Sequence, residues 1–444
     1  MKASIVKPYV LCVWILALLA AKTLPAQNVL TVDEAIATAL KNNHDITLAK
    51  YDSASAAIDN SFKRGFFLPR INANTGIVYN NNDQRQKFND GTERERNGVK
   101  ANNLSAGVSL NWTLFDGLRM FATKEKVEEF VKLGELNIKN QVVTTVAGVV
   151  TTYYTIVRQK QILKSIEEQI DISQIRVDLT QRKLDVGLGA KPDVLQSKVD
   201  LNAQKARQLE QQSFIAQLKS ALNRLMNIPP GNTFDVGDSI PINMNISVDD
   251  IKKDIENVNP SILVAKKNID IAMLGVKEMK ADRLPTIDFN SNYNFNRLDN
   301  KEVVNPFTPL FSQNKGFNYG FTASIPILNN LNTKRLIRQA QLGVQTQEVL
   351  YDNQKFITYH AINRAYKDYE QQKKLLALEE ENILLARENV QIVLETYRLN
   401  AATIVQLREA QISLADAYQR LIATRFSAKV SEIELLSLKG ELVR

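Results

Sequence analysis

The segment Leu104-Ser-Ala-Gly-Val-Ser-Leu-Asn-Trp-Thr-Leu114 alternates between apolar and small polar residues along its whole length. Because successive side chains of a strand point to opposite faces, this pattern predicts a β-strand with one apolar and one polar face. Residues 287–295 and 317–325 follow the same alternation, and residues 71–79 follow it more weakly. Strands of roughly 9–12 residues are long enough to cross a bilayer with one face against lipid. The chain therefore contains four candidate membrane-spanning strands.

These strands fit either a transmembrane β-barrel or a four-stranded sheet of a soluble protein that packs on helices. Their polar faces carry small neutral residues, and aromatic residues cluster towards the strand ends, which favours the barrel. Four strands cannot close a barrel, and open sheet edges are unstable in lipid, so we expect other copies of the chain to complete it. Three copies would give twelve strands, although the sequence fixes only that closure is intermolecular. The polar segments 80–103 and 297–315 separate the strands of each pair, and the first is predicted to be a solvated external loop.

Two stretches predict helices far longer than those of an ordinary domain. No proline lies between Gly117 and Pro192, and apolar residues recur there at steps of three and four. A helix of about 65 residues would be roughly 100 Å long at a rise of 1.5 Å per residue. Residues 332–399 repeat this pattern. We expect coiled-coil packing, with return helices at 193–226 and 404–438 and shorter helices at 32–63 and 248–281.

The two halves of the chain repeat one another. Leu68-Pro69 recurs as Leu284-Pro285, 216 residues later, and Leu184-Asp-Val-Gly187 corresponds to Tyr397-Arg-Leu-Asn400 at an offset of 213. The difference indicates that the hairpin loop of the second half is three residues shorter. A duplicated unit makes sense when neither copy can close its own surface alone. We predict repeats at 27–228 and 248–444, joined by a linker at 229–247.

Residues 1–26 are predicted to be a signal peptide, with Lys2 and Lys7 before an apolar run at 10–21. The alternative is a retained membrane anchor, but the run is short of the roughly 20 apolar residues that a spanning helix needs. Cys12, the only cysteine, lies in this run, so the mature chain would have no disulfide.

Composition argues against several other classes of protein. The formal charge of +8 is mild, and basic and acidic residues are interleaved, which is typical of a solvated helix surface and not of a nucleic-acid footprint. The only histidines, His44 and His360, lie far apart on predicted helices. We therefore expect no metal site, no cofactor and no enzymatic activity.

The segment Leu184-Asp-Val-Gly-Leu-Gly-Ala-Lys-Pro-Asp-Val-Leu-Gln-Ser197 lies where the first long helix should turn back. It resembles the Tyr-x-x-Gly-x-x-Ser/Thr-x-x-Asp-Val-Leu-x-Ala motif of TolC-like outer membrane efflux proteins. Residues 397–410 fit the same frame less closely, and Leu114-Phe-Asp-Gly117 is another feature of that family. The resemblance implies mainly α-helical chains with some β-structure, in which a helical barrel continues a transmembrane β-barrel of four strands per chain.

The resemblance also implies partners and a location. Three copies would form one twelve-stranded barrel in the cell outer membrane and a helical tunnel through the periplasm. The tunnel would dock on a periplasmic adaptor protein and an inner-membrane transporter, and export substrates without chemistry of its own. The residues implied for adaptor docking lie at the two tips: Val186, Gly187, Leu188, Leu399, Asn400 and Ala401.

The family closes its tunnel at the periplasmic end by contacts between tips and by acidic rings. Asp193 and Tyr397 match family positions that take part in these contacts. Ala402 stands where a latch arginine is expected, so any latch must differ. Gln406 replaces the first ring aspartate and Glu409 stands for the second, and three copies of Glu409 near an axis would favour cations.

One other function fits the helices, namely a structural or adhesive coiled-coil protein at the surface or in the periplasm. It does not account for the duplication or for the lipid-compatible strands. The sequence does not distinguish drugs, metal ions and polypeptides as cargo.

Overall fold

The computed structural model describes residues 29–442, so the predicted signal peptide lies outside the described residues. The chain divides into two compact units. Within the described residues, the helical unit comprises 29–49, Ile138–Pro260 and 356–442. The sheet unit comprises Lys50–Asn137 and Ser261–Lys355.

The elements follow the order predicted by the duplication, with a strand pair and a long helical hairpin in each half. Val29–Leu30 and Asp235–Val236 form an additional two-stranded parallel sheet, and a 3₁₀ turn spans Lys63–Phe67. In chain order the described elements are β1 Val29–Leu30, α1 Val32–Asn42, α2 His44–Ser61, β2 Arg70–Lys87, β3 Glu93–Asp116, α3 Arg119–Asp185, α4 Lys191–Met226, β4 Asp235–Val236, α5 Val248–Lys252, α6 Ile255–Val258, α7 Pro260–Ala281, β5 Thr286–Asn300, β6 Phe311–Ser324, α8 Asn332–Arg398 and α9 Ile404–Lys439.

The larger sheet is antiparallel with the strand order β2-β3-β5-β6. Its register places apolar residues of neighbouring strands on one face, where Trp112 lies opposite Phe289 and Phe289 opposite Phe321. On the other face Gly107 lies opposite Asn294, which lies opposite Gly316. Since residues directly opposite one another share a face of the sheet, the alternation predicted from the sequence is confirmed in all four strands.

The prediction of a loop over residues 80–103 is wrong. β2 continues to Lys87 and β3 begins at Glu93, so the hairpin turn is only a few residues long. The added strand segments are polar apart from Val99 and Ala101, and they carry cross-strand ion pairs, with Arg85 2.8 Å and Lys87 3.5 Å from Glu93. Backbone hydrogen bonds hold such a ribbon without an apolar face, which is why alternation did not reveal it. β5 and β6 likewise extend into the segment 297–315, as far as Asn300 and Phe311.

The predicted helices 32–63 and 248–281 are both interrupted, and a buried asparagine stands at the equivalent break in each repeat. Asn43 lies between α1 and α2, and its Nδ2 donates to the carbonyl oxygen of Leu225 at 2.9 Å. Asn259 lies between α6 and α7, and its Nδ2 donates to the carbonyl oxygen of Leu438 at 2.7 Å. Asparagine favours helix ends because its side chain competes for backbone hydrogen bonds.

The long helices of the two repeats have the same lengths. α3 and α8 have 67 residues each, α4 and α9 have 36 each, and all their ends are related by an offset of 213. The predicted long and returning helices are therefore confirmed. No helix within residues 29–442 is both long enough and apolar enough to cross a membrane. The main core of the helical unit includes Ala35, Val149, Tyr153, Ile156, Leu222 and Met226.

Candidate functional site

The two helical hairpins end in tips with matching backbone conformations. In the first tip, which joins α3 to α4, Gly187 has a φ of +77°. In the second, which joins α8 to α9, the equivalent Asn400 has a φ of +59°. Both values lie in the left-handed region, which glycine and asparagine tolerate best. The tips end in exposed apolar side chains, since Val186, Leu188 and Leu399 are 68%, 70% and 78% exposed.

The two tips begin their return helices differently. Ala190 precedes α4 and makes no side-chain capping bond, and Pro192 follows in the first turn. Thr403 precedes α9 and forms a capping box, in which its Oγ1 accepts from the backbone N–H of Gln406 at 3.3 Å. The Gln406 Oε1 in turn accepts from the Thr403 backbone N–H at 2.8 Å. The structure thus places Gln406 in the cap of its own helix.

Tyr397 and Asp193, the two residues predicted to close the tips, lie within electrostatic reach of each other. Tyr397 is buried, and this burial raises the pKa of its hydroxyl, with a further upward contribution from the charge of Asp193 and an opposing one from Arg176. Asp193 lies in the first turn of α4, and its backbone carbonyl accepts from Ser197 Oγ at 2.8 Å. The structure brings these two positions together at one end of the helical unit.

Arg176 is a buried cation near this pair that the sequence reasoning missed. It is only 3% exposed, its Nη2 lies 2.7 Å from Asp200 Oδ2, and its Nη1 donates to Gln411 Oε1 at 2.8 Å. Arg408 also approaches Asp200, at 3.5 Å, so two guanidinium groups share one carboxylate. Burial lowers the pKa of Arg176, and Asp200 opposes that shift. No local signal marked it, because apolar residues continue along this part of α3 at Ile172, Ile175 and Leu179.

Lys183 is a second cation that sequence reasoning missed. Its Nζ donates to the backbone carbonyl of Tyr397 at 2.6 Å and lies 3.6 Å from the centre of the Tyr397 ring. The carbonyls at the C-terminal end of a helix lack partners within the helix and attract cations. Lys183, one turn from the end of α3, therefore caps the end of α8 and connects the two tips. Burial lowers the pKa of its ammonium group.

Glu409 is exposed on α9, and the neighbouring Leu407 and Ala410 are buried. The exposed side of α9 at the tip thus carries Gln406 and Glu409, three residues apart. Within the part of the chain that the structure describes, no cluster of three or more His, Cys, Asp or Glu side chains could hold a metal ion.

Comparison with known proteins agrees with the fold. The sequence model of outer membrane efflux proteins matches residues 35–228 and 253–441. This chain belongs to the outer membrane efflux protein family. Protein CyaE of Bordetella pertussis is 22% identical over 368 residues, which cover 81% of this chain and 74% of CyaE. Outer membrane protein TolC of Escherichia coli K12 is 20% identical over 395 residues, or 85% of this chain and 76% of TolC. The solved structure of the outer-membrane channel OprN matches with a TM-score of 0.76 at 15% identity, covering 92% of this chain and 90% of OprN.

Family membership confirms the resemblance to TolC-like proteins that the tip motif indicated. It places the chain in the outer membrane of a Gram-negative envelope, with a periplasmic helical domain and a role in efflux. The family transports substrates and is not an enzyme family. Its two matched ranges leave residues 229–252 unmatched between them.

Proposed function

We propose that three copies of this chain form the outer membrane channel of a tripartite exporter. The observation that carries this proposal is the pair of open edges of the larger sheet, because β2 and β6 each pair on one side only in that sheet. The four strands alternate in direction, so β2 of one copy and β6 of the next would meet antiparallel. Backbone groups at an open edge would be unsatisfied in lipid, and closure by three copies would satisfy them with twelve strands.

The two faces of the sheet support this orientation in a membrane. Phe317, Tyr319 and Phe321 on β6 are 65%, 69% and 70% exposed, although such side chains normally avoid water. The opposite face is lined by asparagine, serine and glycine, which suits a narrow aqueous lumen. Arg297 and Lys315 stand at one end of the apolar band, where long cations reach the interface between lipid and water.

The exposed apolar tips support docking of a periplasmic adaptor. Val186, Gly187 and Leu188 on the first tip, with Leu399, Asn400 and Ala401 on the second, would supply small knobs for packing against adaptor helices. An inner-membrane transporter would supply the energy and select the cargo, and the chain itself would carry out no chemistry. One relative is the antibiotic efflux pump outer membrane protein ArpC of Pseudomonas putida, so antibiotics are one candidate cargo class, alongside metal ions and polypeptides.

The closed end of the channel would be formed by the tip residues Asp193, Tyr397, Gln406 and Glu409. Glu409 is the one charged member of the pair on the exposed side of α9, and three copies would gather carboxylates around the axis. Since carboxylate rings attract cations, Glu409→Ala should weaken block by a trivalent cation such as hexamminecobalt. We expect a roughly ten-fold rise in the half-blocking concentration, equivalent to about 1.4 kcal/mol.

Single-channel recording in planar bilayers tests this proposal. Glu388→Ala removes an equally exposed carboxylate from α8 and should leave cation block unchanged. Unchanged block in Glu409→Ala would remove Glu409 from the constriction. The absence of conductance steps from purified wild-type protein that has inserted as a trimer would contradict the channel itself.

A further inference from the structure

The second hairpin, formed by α8 and α9, is held together by an apolar seam. Leu376, Ile383 and Val390 recur on α8 every seven residues, and they pack with buried residues of α9. The α9 partners are Ala410, Leu414, Ala417 and Leu421. Separating these helices would expose this apolar surface to water, so the hairpin should move as one body.

Three contacts between α3 and this hairpin are polar from Glu168 towards the tip, whereas Phe426 and Ile433 of α9 join the apolar core near the middle of α3. Tyr418 Oη of α9 donates to Glu168 Oε2 at 2.5 Å, Arg176 binds Gln411 at 2.8 Å, and Lys183 binds the Tyr397 carbonyl at 2.6 Å. Arg387 of α8 also bonds to the Tyr418 hydroxyl.

The donors and acceptors on α3 are separated by eight and seven residues, which places them along one side of the helix. Ile172 adds an apolar contact between the first two. We call the three contacts of Glu168, Arg176 and Lys183 with the second hairpin the polar ladder.

A polar seam and an apolar seam respond differently to opening. Polar groups that separate can bond to water instead, so a protein hydrogen bond contributes only a modest net stability. Apolar surfaces have no such substitute. The polar ladder is therefore the seam along which the second hairpin would separate from α3. The two lower contacts of the ladder carry full positive charges, and the position of the expected latch arginine holds Ala402.

We propose that Arg176 and Lys183 are the positioning residues that hold the second hairpin against α3 in the closed channel, in place of a latch at residue 402. The inference rests on the proposed channel function. Lys183 acts at the tip itself, where it connects the end of α3 to the end of α8. Arg176 acts two turns higher, where it connects α3 to α4 through Asp200 and to α9 through Gln411.

Lys183→Met tests the contact of Lys183 with the Tyr397 carbonyl, because methionine keeps the apolar part of the side chain and removes the charge. Loss of one hydrogen bond from a charged donor should raise the ratio of open to closed dwell times roughly ten-fold. Lys183→Arg restores a cation and should return that ratio to the wild-type value. Lys198→Met removes an exposed lysine from the neighbouring helix α4 and is the matched control, expected to behave as the wild type.

Two substitutions of Gln411 test its contact with Arg176, and they should change the open time of the channel in opposite directions. Gln411→Leu removes the acceptor of Arg176 and should increase open time. Gln411→Glu supplies a carboxylate for the same guanidinium and should decrease it, since charge-assisted hydrogen bonds are the stronger ones. If Gln411 had a purely structural role, both variants would lower the stability of the trimer and would not change the open time in opposite directions. Each variant is therefore also tested for survival of the trimer on heating.

The readout is single-channel conductance of the purified full-length trimer in planar bilayers. Open times that rise in Lys183→Met and Gln411→Leu, fall in Gln411→Glu and recover in Lys183→Arg support the proposal. Wild-type conductance steps with unchanged dwell times in all four variants would overturn it while leaving the channel function intact. No steps from any protein, wild type included, would instead contradict the proposed function.

Discussion

The two repeats share their backbone geometry to a degree that their sequences do not suggest. Their long helices begin and end at an offset of 213, and the left-handed residues at the tips match. The contact of Asn43 with the Leu225 carbonyl recurs as that of Asn259 with the Leu438 carbonyl. What the duplication preserves is the set of helix ends and the hydrogen bonds that fix them.

The tips differ in chemistry although they share this geometry. The first repeat carries Arg176 and Lys183, and the second has Asn389 and Thr396 at the same positions. Asp193 corresponds to Gln406, which serves as a helix cap. The architecture keeps its helix ends in place even where the side chains at those ends differ, as at Ala190 and Thr403. The proposed gate would therefore depend on individual side chains and not on the repeat.

The largest expected effects come from the two asparagines that the repeats share. Asn43→Ala should lower the free energy of unfolding by about 3 kcal/mol, because a buried hydrogen bond and a helix cap are both lost. Asn43 Oδ1 also accepts from the backbone N–H of Asp45 at 2.9 Å. Asn259→Ala should cost about 2 kcal/mol for the loss of its bond to Leu438.

Guanidinium unfolding followed by helical circular dichroism measures both values, with the exposed Asn202→Ala as the control. Wild-type stability in either buried variant would show that the shared geometry does not depend on these contacts.

These asparagines also mark the boundary of what sequence could predict. The strand faces, the long helices and the duplication could be predicted from the sequence, because many residues of each element carry the same repeating pattern. The breaks at Asn43 and Asn259 depend on one side chain finding a carbonyl about 180 residues away, which no local pattern reveals. The charged ribbon beyond Tyr79 was missed because its pairing involves backbone atoms, and its side chains carry no apolar period.

In the candidate site too, some residues could be predicted from the sequence and others could not. The tip motif predicted roles for Asp193, Tyr397 and the exposed apolar residues, because a turn between helices has local sequence requirements. Arg176 and Lys183 could not be assigned, since an arginine or lysine on a coiled coil is usually solvated. The burial of Arg176 and the contact of Lys183 with Tyr397 follow from the packing of helices from both repeats.

The next prediction concerns a lysine at the same place in both repeats. Lys160 binds Asp235 of the linker at 2.6 Å, and its counterpart Lys373 binds Glu370 of its own helix at 3.0 Å. Burial alone would raise the pKa of Asp235, but the hydrogen bond from Lys160 and the nearby positive charges outweigh it and leave the pKa lowered. A lowered pKa in the folded state means that Asp235 stabilises the fold above its unfolded pKa of about 4 and loses that contribution in more acidic solution.

Asp235→Asn should therefore lower the free energy of unfolding by about 1 kcal/mol at pH 7, with the difference shrinking as the pH falls below about 4. Thermal unfolding at pH 7 and pH 3 measures it. Glu370→Gln is the matched change in the second repeat and should cost roughly 0.3 kcal/mol, since its ion pair is local and partly solvated. A penalty for Asp235→Asn that is independent of pH would exclude the ion pair as its cause.

Effects of similar size should come from exchanging the caps of the two return helices. Thr403→Ala should cost about 1 kcal/mol, because the capping box of α9 is lost. Ala190→Thr should stabilise α4 by roughly 0.5 kcal/mol, because Ala190 already has the extended conformation of a cap. Chemical unfolding measures the free energy of unfolding of both variants. Unchanged values in both would show that the tips are insensitive to capping.

Closure of the sheet between copies is the central claim, and disulfide crosslinking between β2 and β6 tests it most directly. The chain has no cysteine beyond Cys12, so a single cysteine at Ala73 can be combined in turn with one at Phe317, Tyr319 or Phe321. Oxidation in outer membranes should give covalent dimers and trimers, and nothing larger, for the pair or pairs in register. Chains that insert in the membrane but remain monomers with every pair, or that crosslink only within one copy, would contradict the account.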